Sequence, residues 1–326
     1  MKAIVFDQPG DASVLKIGEV PEPQPGSAEL LINVRYAALN RADIVQRQGN
    51  YPPPPGASPI LGLECAGEVA AAGLEVKGWR AGDRVMALLP GGAYAERAVV
   101  HYGCAMHVPA ALDDEEAAGI PEVYLTAYLN LFMIAGIERD GAALIHGGGS
   151  GVGTASIQLL KEFGARAIVT AGSDAKCEQC LKFGAAVAIN YKSGPFAPKV
   201  RTATNDRGVD VILDSIGGAY LAPNLEALAQ GGRLVLIGLM RGARAELDLA
   251  TVLRRHLRIY GSTLRTRPAG EKAEIVAAFL KQFGTAMEAG RLRPPIYKTL
   301  PLAEAAEAHR IMEASEHFGK IVLKVR

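Results

Sequence analysis

Apolar and β-branched residues alternate with polar ones in two runs near the start, 2–6 and 30–37, which is the period of a half-buried strand. Shorter apolar stretches follow at 60–69, 82–87 and 93–100, set apart by glycine turns. Short strands spaced this closely predict a compact, partly open β barrel. A segment with an acidic first turn, 113–118, reads as a helix start. From residue 120 the pattern changes. A helix is predicted over 121–132, with Pro121 at its start, where a missing N–H does no harm. Apolar runs at 142–145, 167–170, 188–189, 209–213, 233–237 and 258–262 then alternate with helix-compatible segments at 154–163, 174–183, 195–204, 221–229 and 249–255. Six strands with intervening helices predict an α/β domain built on a doubly wound parallel sheet. A long amphipathic helix at 273–289, a helix at 303–314 and a strand at 320–325 close the chain and return it to the barrel.

Composition narrows the function. A chain of 326 residues that is 49% hydrophobic can bury two sizeable cores. Net charge is +1, with 21% of residues charged, so nothing global favours nucleic acid or an anionic membrane surface. No apolar run reaches the ~18 residues of a membrane span, and the opening M-K-A-I-V-F-D has no secretory apolar region. Four scattered cysteines, Cys65, Cys104, Cys177 and Cys180, form no disulfide framework. The expectation is a cytoplasmic protein in a reducing compartment. The Cys177-x-x-Cys180 pair falls inside a helical pattern, with no second pair, and reads as two ordinary semi-buried thiols.

The chemistry gathers at A-L-I-H-G-G-G-S-G-V-G, residues 143–153. An apolar strand enters a glycine cluster and a helix leaves it. That geometry sets backbone N–H groups and a positive helix end against a pyrophosphate. Gly148 and Gly153 take the outer positions of the G-x-G-x-x-G fingerprint. Ser150 stands in the middle one, followed by Gly151 and Val152. These five are candidate cofactor contacts, with a ligand-free glycine loop as the alternative. About 20 residues on, an acid closing the second strand would bind a ribose 2′-OH and repel a 2′-phosphate. The sequence there is Ala171-Gly172-Ser173-Asp174-Ala175-Lys176, with no acid at the strand end. Ser173 offers a hydroxyl and Lys176 a cation, which favours NADPH over NADH. Ser173 also fits a helix cap, and Lys176 a solvated charge. The turns holding Ser215 and Gly217, and Gly238, Leu239 and Met240, follow the fourth and fifth strands. They lie at the carboxyl ends of the sheet, where ligands gather.

In the first third, Asn40 suits the cap of a short helix and shares a helix face with Asp43. Tyr51 opens Y-P-P-P-P-G, a stiff loop that can hold a pocket wall at low entropic cost.

These stretches carry a family resemblance. A-L-N-R-A-D-I-V-Q-R-Q-G-N-Y-P-P-P-P-G, I-L-G-L-E, I-P-E-V-Y-L-T-A-Y, the glycine turn, F-G-A-A-V-A-I-N-Y and the closing G-K-I-V-L occur in order from end to end. The chain resembles the zinc-free quinone oxidoreductases of the medium-chain dehydrogenase/reductase superfamily, relatives of zeta-crystallin, and in particular the p53-inducible group. The resemblance implies a GroES-like barrel domain (1–122 and 266–326) and a Rossmann domain (123–265). It implies NADPH, reduction of a small-molecule quinone, and a homodimer formed through the last Rossmann strand. It carries Asn40, Asp43 and Tyr51 into the catalytic pocket, with Tyr51 bonding a quinone oxygen or the nicotinamide ribose. It carries Tyr191 to the 2′-phosphate and the 238–240 turn to the nicotinamide. Thr126 is a candidate for the nicotinamide ribose, with a hydroxyl bonded back into its own helix as the alternative, and Arg265 is a candidate for the cofactor cleft, with a solvated side chain as the alternative. It implies no metal. The zinc-binding relatives' Gly-His-Glu reads Gly62-Leu63-Glu64 here, and their cysteine near the first helix is missing. Lys320 is expected at the surface, with a phosphate or the substrate as the alternative.

Overall fold

The computed structural model describes residues 1–326, which divide into two units, Met1–Leu125 with Leu264–Arg326, and Thr126–Thr263. In the first unit the strand Glu29–Ala38 is the hub. It pairs antiparallel with Glu64–Ala72, Arg97–His101 and Lys320–Lys324. Arg84–Leu88 and Ala105–His107 extend one side, and Ile296–Pro301 lies parallel beside Lys320–Lys324 on the other. Two register shifts in the pairing with Glu64–Ala72 bend the hub strand, as bulges do where a sheet curls. The inward side chains, Ile32, Val34, Leu61, Val85, Tyr94 and Leu323 among them, form one buried core.

The second unit is a six-stranded, all-parallel sheet. Its order is Val187–Asn190, Arg166–Ala171, Ala142–His146, Val209–Asp214, Leu228–Leu236, Arg258–Gly261. Numbered within the unit this is 3-2-1-4-5-6, the doubly wound Rossmann order. The strands are apolar on both faces because helices cover both, and Leu144, Ile168, Ile212 and Leu234 are fully closed to solvent. The six predicted strands and five predicted helices of this unit are all present, shifted by a few residues at their ends.

Three differences from expectation are informative. The run at 60–69 becomes a strand only at Glu64. The α-helix Pro121–Tyr128 does not continue regularly to 132 but widens into a π-helical turn, Leu129–Ile134, where Ala135 N–H bonds Asn130 C=O. Ile296–Pro301 was not foreseen, since only Leu300 along it is buried and its outward face is polar. No helix is long and apolar enough to cross a membrane.

Candidate active site

In the second unit, the strand Ala142–His146 delivers the chain into the glycine turn, and the helix Gly151–Phe163 leaves it. The turn sits at the carboxyl end of the first strand, between the second and fourth, where the strand order reverses. Gly147 has φ +75°, and a Cβ on Gly153 would lie 2.3 Å from Gly147 O and 2.6 Å from Gly148 O. Only glycine lets the helix start so close to the turn. Ser150 caps that helix, its Oγ accepting from Gly153 N–H at 3.0 Å, and the first intrahelical bond is Thr154 N–H to Ser150 C=O. The N–H groups of Gly151 and Val152 therefore precede the helical ladder and are open to an anion. This cradle fits a pyrophosphate.

A buried polar chain holds the cradle. His146 bonds Thr170 Oγ1 at 3.0 Å and Asn224 Oδ1 at 2.7 Å, and Asn224 donates to Asp214 Oδ2 at 3.0 Å. Asp214 in turn accepts from the N–H groups of Ile216 and Gly217. Burial pushes the His146 imidazole down to about 4, so the ring is neutral at pH 7 and links two turns by its tautomer. Ser215 and Gly217 lie in one of those turns. Gly238, Leu239 and Met240 form the facing one, tied by Met240 N–H to Ser215 C=O and Gly218 N–H to Gly242 C=O. Leu239 and Met240 are about half exposed.

At the end of the second strand, Ser173 caps the helix Asp174–Phe183, accepting from Lys176 N–H. The Asp174 carboxylate is engaged by Asn190 Nδ2 at 2.8 Å. Tyr191 leans over Gly172, where a Cβ would sit 2.8 Å from its hydroxyl. Ser173, Lys176 and Tyr191 thus surround one turn. Thr126 opens the unit, half-buried, its C=O accepting from Asn130 Nδ2.

In the first unit the structure brings Asn40, Asp43 and Tyr51 into one neighbourhood but gives them different roles. Asn40 caps the helix Arg41–Arg47 and is 8% exposed. Its Nδ2 donates to Glu64 Oε1 at 2.9 Å, and its Oδ1 accepts from Lys320 Nζ at 2.9 Å. Asp43 is closed to solvent. It accepts from Asn40 N–H, Gly62 N–H and the Tyr94 hydroxyl at 2.8, 3.0 and 3.1 Å, and burial pushes its carboxyl up to about 6. That corrects its expected place on a pocket wall: Asp43 ties the helix to the loop before Glu64–Ala72. Tyr51 is half-buried under the Arg265 guanidinium, which lies 5.1 Å from its ring centre.

Arg265 and Lys320 also depart from expectation. Arg265 is 2% exposed. Its guanidinium donates to Pro90 O, Tyr51 O and Gln46 Oε1 at 2.7, 3.3 and 2.6 Å. With three of its N–H groups engaged inside the first unit, it fixes the Tyr51 loop and is not a solvated side chain. Lys320 is 2% exposed and pairs with Glu64 at 2.7 Å, so it is neither a surface charge nor a free cation. Glu64 also accepts the N–H of Glu122 at 2.8 Å. Glu122 itself escaped the sequence reading. An acid after proline at a helix start signals only a helix start, and nothing local marks one of its carboxyl oxygens as closed to solvent. No group of three or more His, Cys, Asp or Glu side chains is placed to hold a metal ion. All four cysteines are buried and free. Burial pushes the Cys180 thiol up to about 12 and the Cys177 thiol up as well, and charge repulsion adds to both. This pair has no thiolate character.

A phosphate cradle at the switch point of a parallel sheet, carried with a β barrel that holds a buried polar cluster, defines a two-domain oxidoreductase that uses a nucleotide. Comparisons with known proteins agree. The family described as alcohol dehydrogenase GroES-like domain matches residues 26–110, and that described as zinc-binding dehydrogenase matches 151–282. The chain is 33% identical over 320 residues to a mycocerosic acid synthase-like polyketide synthase of Mycobacterium tuberculosis, covering 97% of this chain but spanning only 15% of that protein. It is 31% identical to a quinone oxidoreductase of Lama guanicoe, over 100% of this chain and 98% of the relative. A solved quinone oxidoreductase of Escherichia coli, complexed with NADPH, superposes with a TM-score of 0.88 at 28% identity over the whole of both chains. The chain belongs to the quinone oxidoreductase family of the medium-chain dehydrogenase/reductase superfamily.

Proposed function

We propose that the protein is an NADPH:quinone oxidoreductase. The observation that carries the reading is the pairing of the cradle at 147–153 with an acid-free second-strand end. Asp174, the one carboxylate near it, is engaged by Asn190, which leaves Ser173, Lys176 and Tyr191 around a position that accepts a 2′-phosphate. Gly148, Ser150, Gly151, Val152 and Gly153 hold the pyrophosphate. Thr126, Ser215, Gly217, Gly238, Leu239 and Met240 serve the nicotinamide half.

When bound, the reduced cofactor supplies a hydride. The chain's tasks are to hold the acceptor against it and to exclude water. A quinone is a strong electrophile whose product is a weak base, so it asks little of an acid. Tyr51 is the polar wall facing the acceptor oxygen, held by Arg265 and by its own proline-rich loop. Asn40, held from behind by Glu64 and Lys320, is the second polar group of the pocket. The test is oxidation of NADPH and of NADH by the purified protein with 1,2-naphthoquinone and a panel of other ortho- and para-quinones. Turnover is expected with NADPH preferred, and no turnover across the panel sinks the assignment.

Reduction of a conjugated enone or enoyl thioester is the second reading, favoured by the polyketide synthase relatives. It requires faster turnover of enones than quinones. A non-catalytic NADPH-binding role would instead give cofactor protection against heating with no acceptor reduced. The protein acts as a homodimer, a reading supported by the edge strand Arg258–Gly261 and by Leu249 and Leu253, which are 70% and 76% exposed.

A further inference from the structure

The glycine turn leaves the carboxyl end of the parallel sheet. The amino end of the same sheet holds a cavity of about 650 Å³, lined wholly by residues of the second unit and large enough for a small organic ligand. Four of its lining residues are arginines, Arg139, Arg166, Arg207 and Arg233. Arg166 is the first residue of the second strand, and Arg233 lies on the fifth, level with Val211. Arg139 and Arg207 stand in the stretches that lead into the first and fourth strands. The length of the strand Ala142–His146, roughly 15 Å, separates this edge from the glycine turn.

The arginines are held in place by the fold. Arg139 donates to Phe163 O at 2.9 Å and Arg166 to Ala203 O at 3.2 Å, which are the last residues of the helices Gly151–Phe163 and Phe196–Ala203. Arg233 donates to Gly136 O at 3.2 Å and to Asp210 O at 3.4 Å. A cation at a helix C-terminus offsets the negative end of the dipole, but that uses one N–H of Arg139 and one of Arg166. A guanidinium is a fork with further donors, and those of Arg139, Arg166 and Arg233 bond nothing in the protein. Asp210 does not neutralise them. It accepts the Arg207 fork at 2.7 and 2.9 Å and Ala142 N–H at 2.8 Å. Arg258, exposed and in register with Arg233 on the neighbouring strand, adds a like charge beside it. Like charges on neighbouring strands repel, and an anion bound between them would relieve this.

Two further lining residues narrow the ligand. Glu138 and Asp140 are exposed, and their carboxylates bond nothing. They disfavour a ligand that is phosphate alone, but they accept hydrogen bonds from hydroxyls, as an acid does from a ribose diol. We propose that the cavity is a second ligand site, for a sugar phosphate. The phosphate sits on Arg139, Arg166 and Arg233, whose forks match its oxygens, and the sugar hydroxyls sit on Glu138 and Asp140. Arg207 is held by Asp210 and forms the wall. A free sugar phosphate and a nucleotide share this chemistry. The site is apart from the cofactor edge and does not rest on the quinone reading.

The test is calorimetric titration of the full chain at fixed ionic strength, with NADP+ in excess to fill the glycine turn. The probes are ribose 5-phosphate, AMP and inorganic phosphate. Ribose 5-phosphate is expected to bind at one site, more tightly than inorganic phosphate. AMP binding more tightly still would mark a nucleotide as the natural form, and weaker AMP binding a free sugar phosphate; either result upholds the site. Arg139→Gln and Arg166→Gln, both at exposed positions, should each weaken ribose 5-phosphate about tenfold, as for loss of one charge-assisted contact. Lys161→Gln removes an exposed cation of the helix Gly151–Phe163 outside the cavity and should change nothing. The proposal is overturned if neither sugar phosphate binds, or if the arginine variants bind like wild type. It is overturned equally if Lys161→Gln loses as much, or if inorganic phosphate binds as tightly as ribose 5-phosphate. Should NADP+ fail to bind, the cofactor reading falls, while the arginine variants still decide whether a sugar phosphate sits at the amino edge.

Discussion

Lys320 and Asn40 lie 280 positions apart in sequence and 2.9 Å apart in space. The Lys320 ammonium and the Glu64 carboxylate are both shut off from water, at 2% and 0% side-chain exposure. Such a pair adds little over well-packed apolar residues, but removing one partner leaves a bare buried charge. Lys320→Met should cost about 3–5 kcal/mol of unfolding free energy. Adding Glu64→Gln to it should recover a large part of that loss. Denaturant unfolding of the two single variants and the double variant checks this, and simple additivity would mean that the pair is not coupled. The sequence could not show it. Lysine after glycine in F-G-K-I-V-L reads as a strand edge in water, because its partners are 256 and 280 residues away. Arg265, Asp43 and Glu122 were misplaced or missed for the same reason. Whether a charge is buried depends on what the fold brings to it, and no local pattern encodes that.

The helix Gly151–Phe163 shows the opposite case, an element almost wholly legible. Its glycine turn, its apolar strand and its start followed from local rules, since Gly147 and Gly153 each answer to neighbours within six residues. Only the job of Ser150 changed. Its oxygen is first a cap, accepting from Gly153 N–H, which leaves its proton to donate to a ligand. The two roles separate by substitution. Ser150→Ala removes the cap and should cost about 1 kcal/mol. Ser150→Thr keeps the cap but adds a methyl at the turn, so stability should hold while the NADPH Michaelis constant rises several-fold. Thermal unfolding and steady-state kinetics read the two effects. An unchanged Michaelis constant for Ser150→Thr would assign Ser150 to the cap alone. His146 is the illegible part of this element: a polar residue closing an apolar run gives no sign that it reaches Thr170 and Asn224.

Over the whole molecule, the strand order 3-2-1-4-5-6 leaves Arg258–Gly261 as an edge with one unpaired side. Exposed edges invite pairing with another chain. Leu249 and Leu253 stand on the helix just before it, in the one stretch of this unit, residues 239–255, where large apolar side chains cluster in solvent. A two-fold mate would cover both features at once. Sedimentation at micromolar protein should give twice the 34.3 kDa chain mass, and Leu253→Glu should shift it toward one chain. A wild-type protein that sediments as a monomer at these concentrations would remove the dimer. The parallel sheet was readable because six apolar runs alternate with helices. The barrel was harder: its strands are short, and residues 60–63 and 93–96 look like strand but run irregularly.

The π-helical turn at Leu129–Ile134 bears on how this chain is compared with others. A helix that widens by one residue carries an insertion within its own frame, and each extra residue rotates the positions after it by about 100° relative to an α-helical register. Lined up residue by residue with a relative whose helix runs straight, the two chains would agree through Tyr128. Beyond it, buried positions would be matched with outward ones until a single-residue gap restored the phase. That gap belongs near Met133, 47% exposed on the wide turn, and not in the loop after the helix, where alignment by sequence would tend to put it.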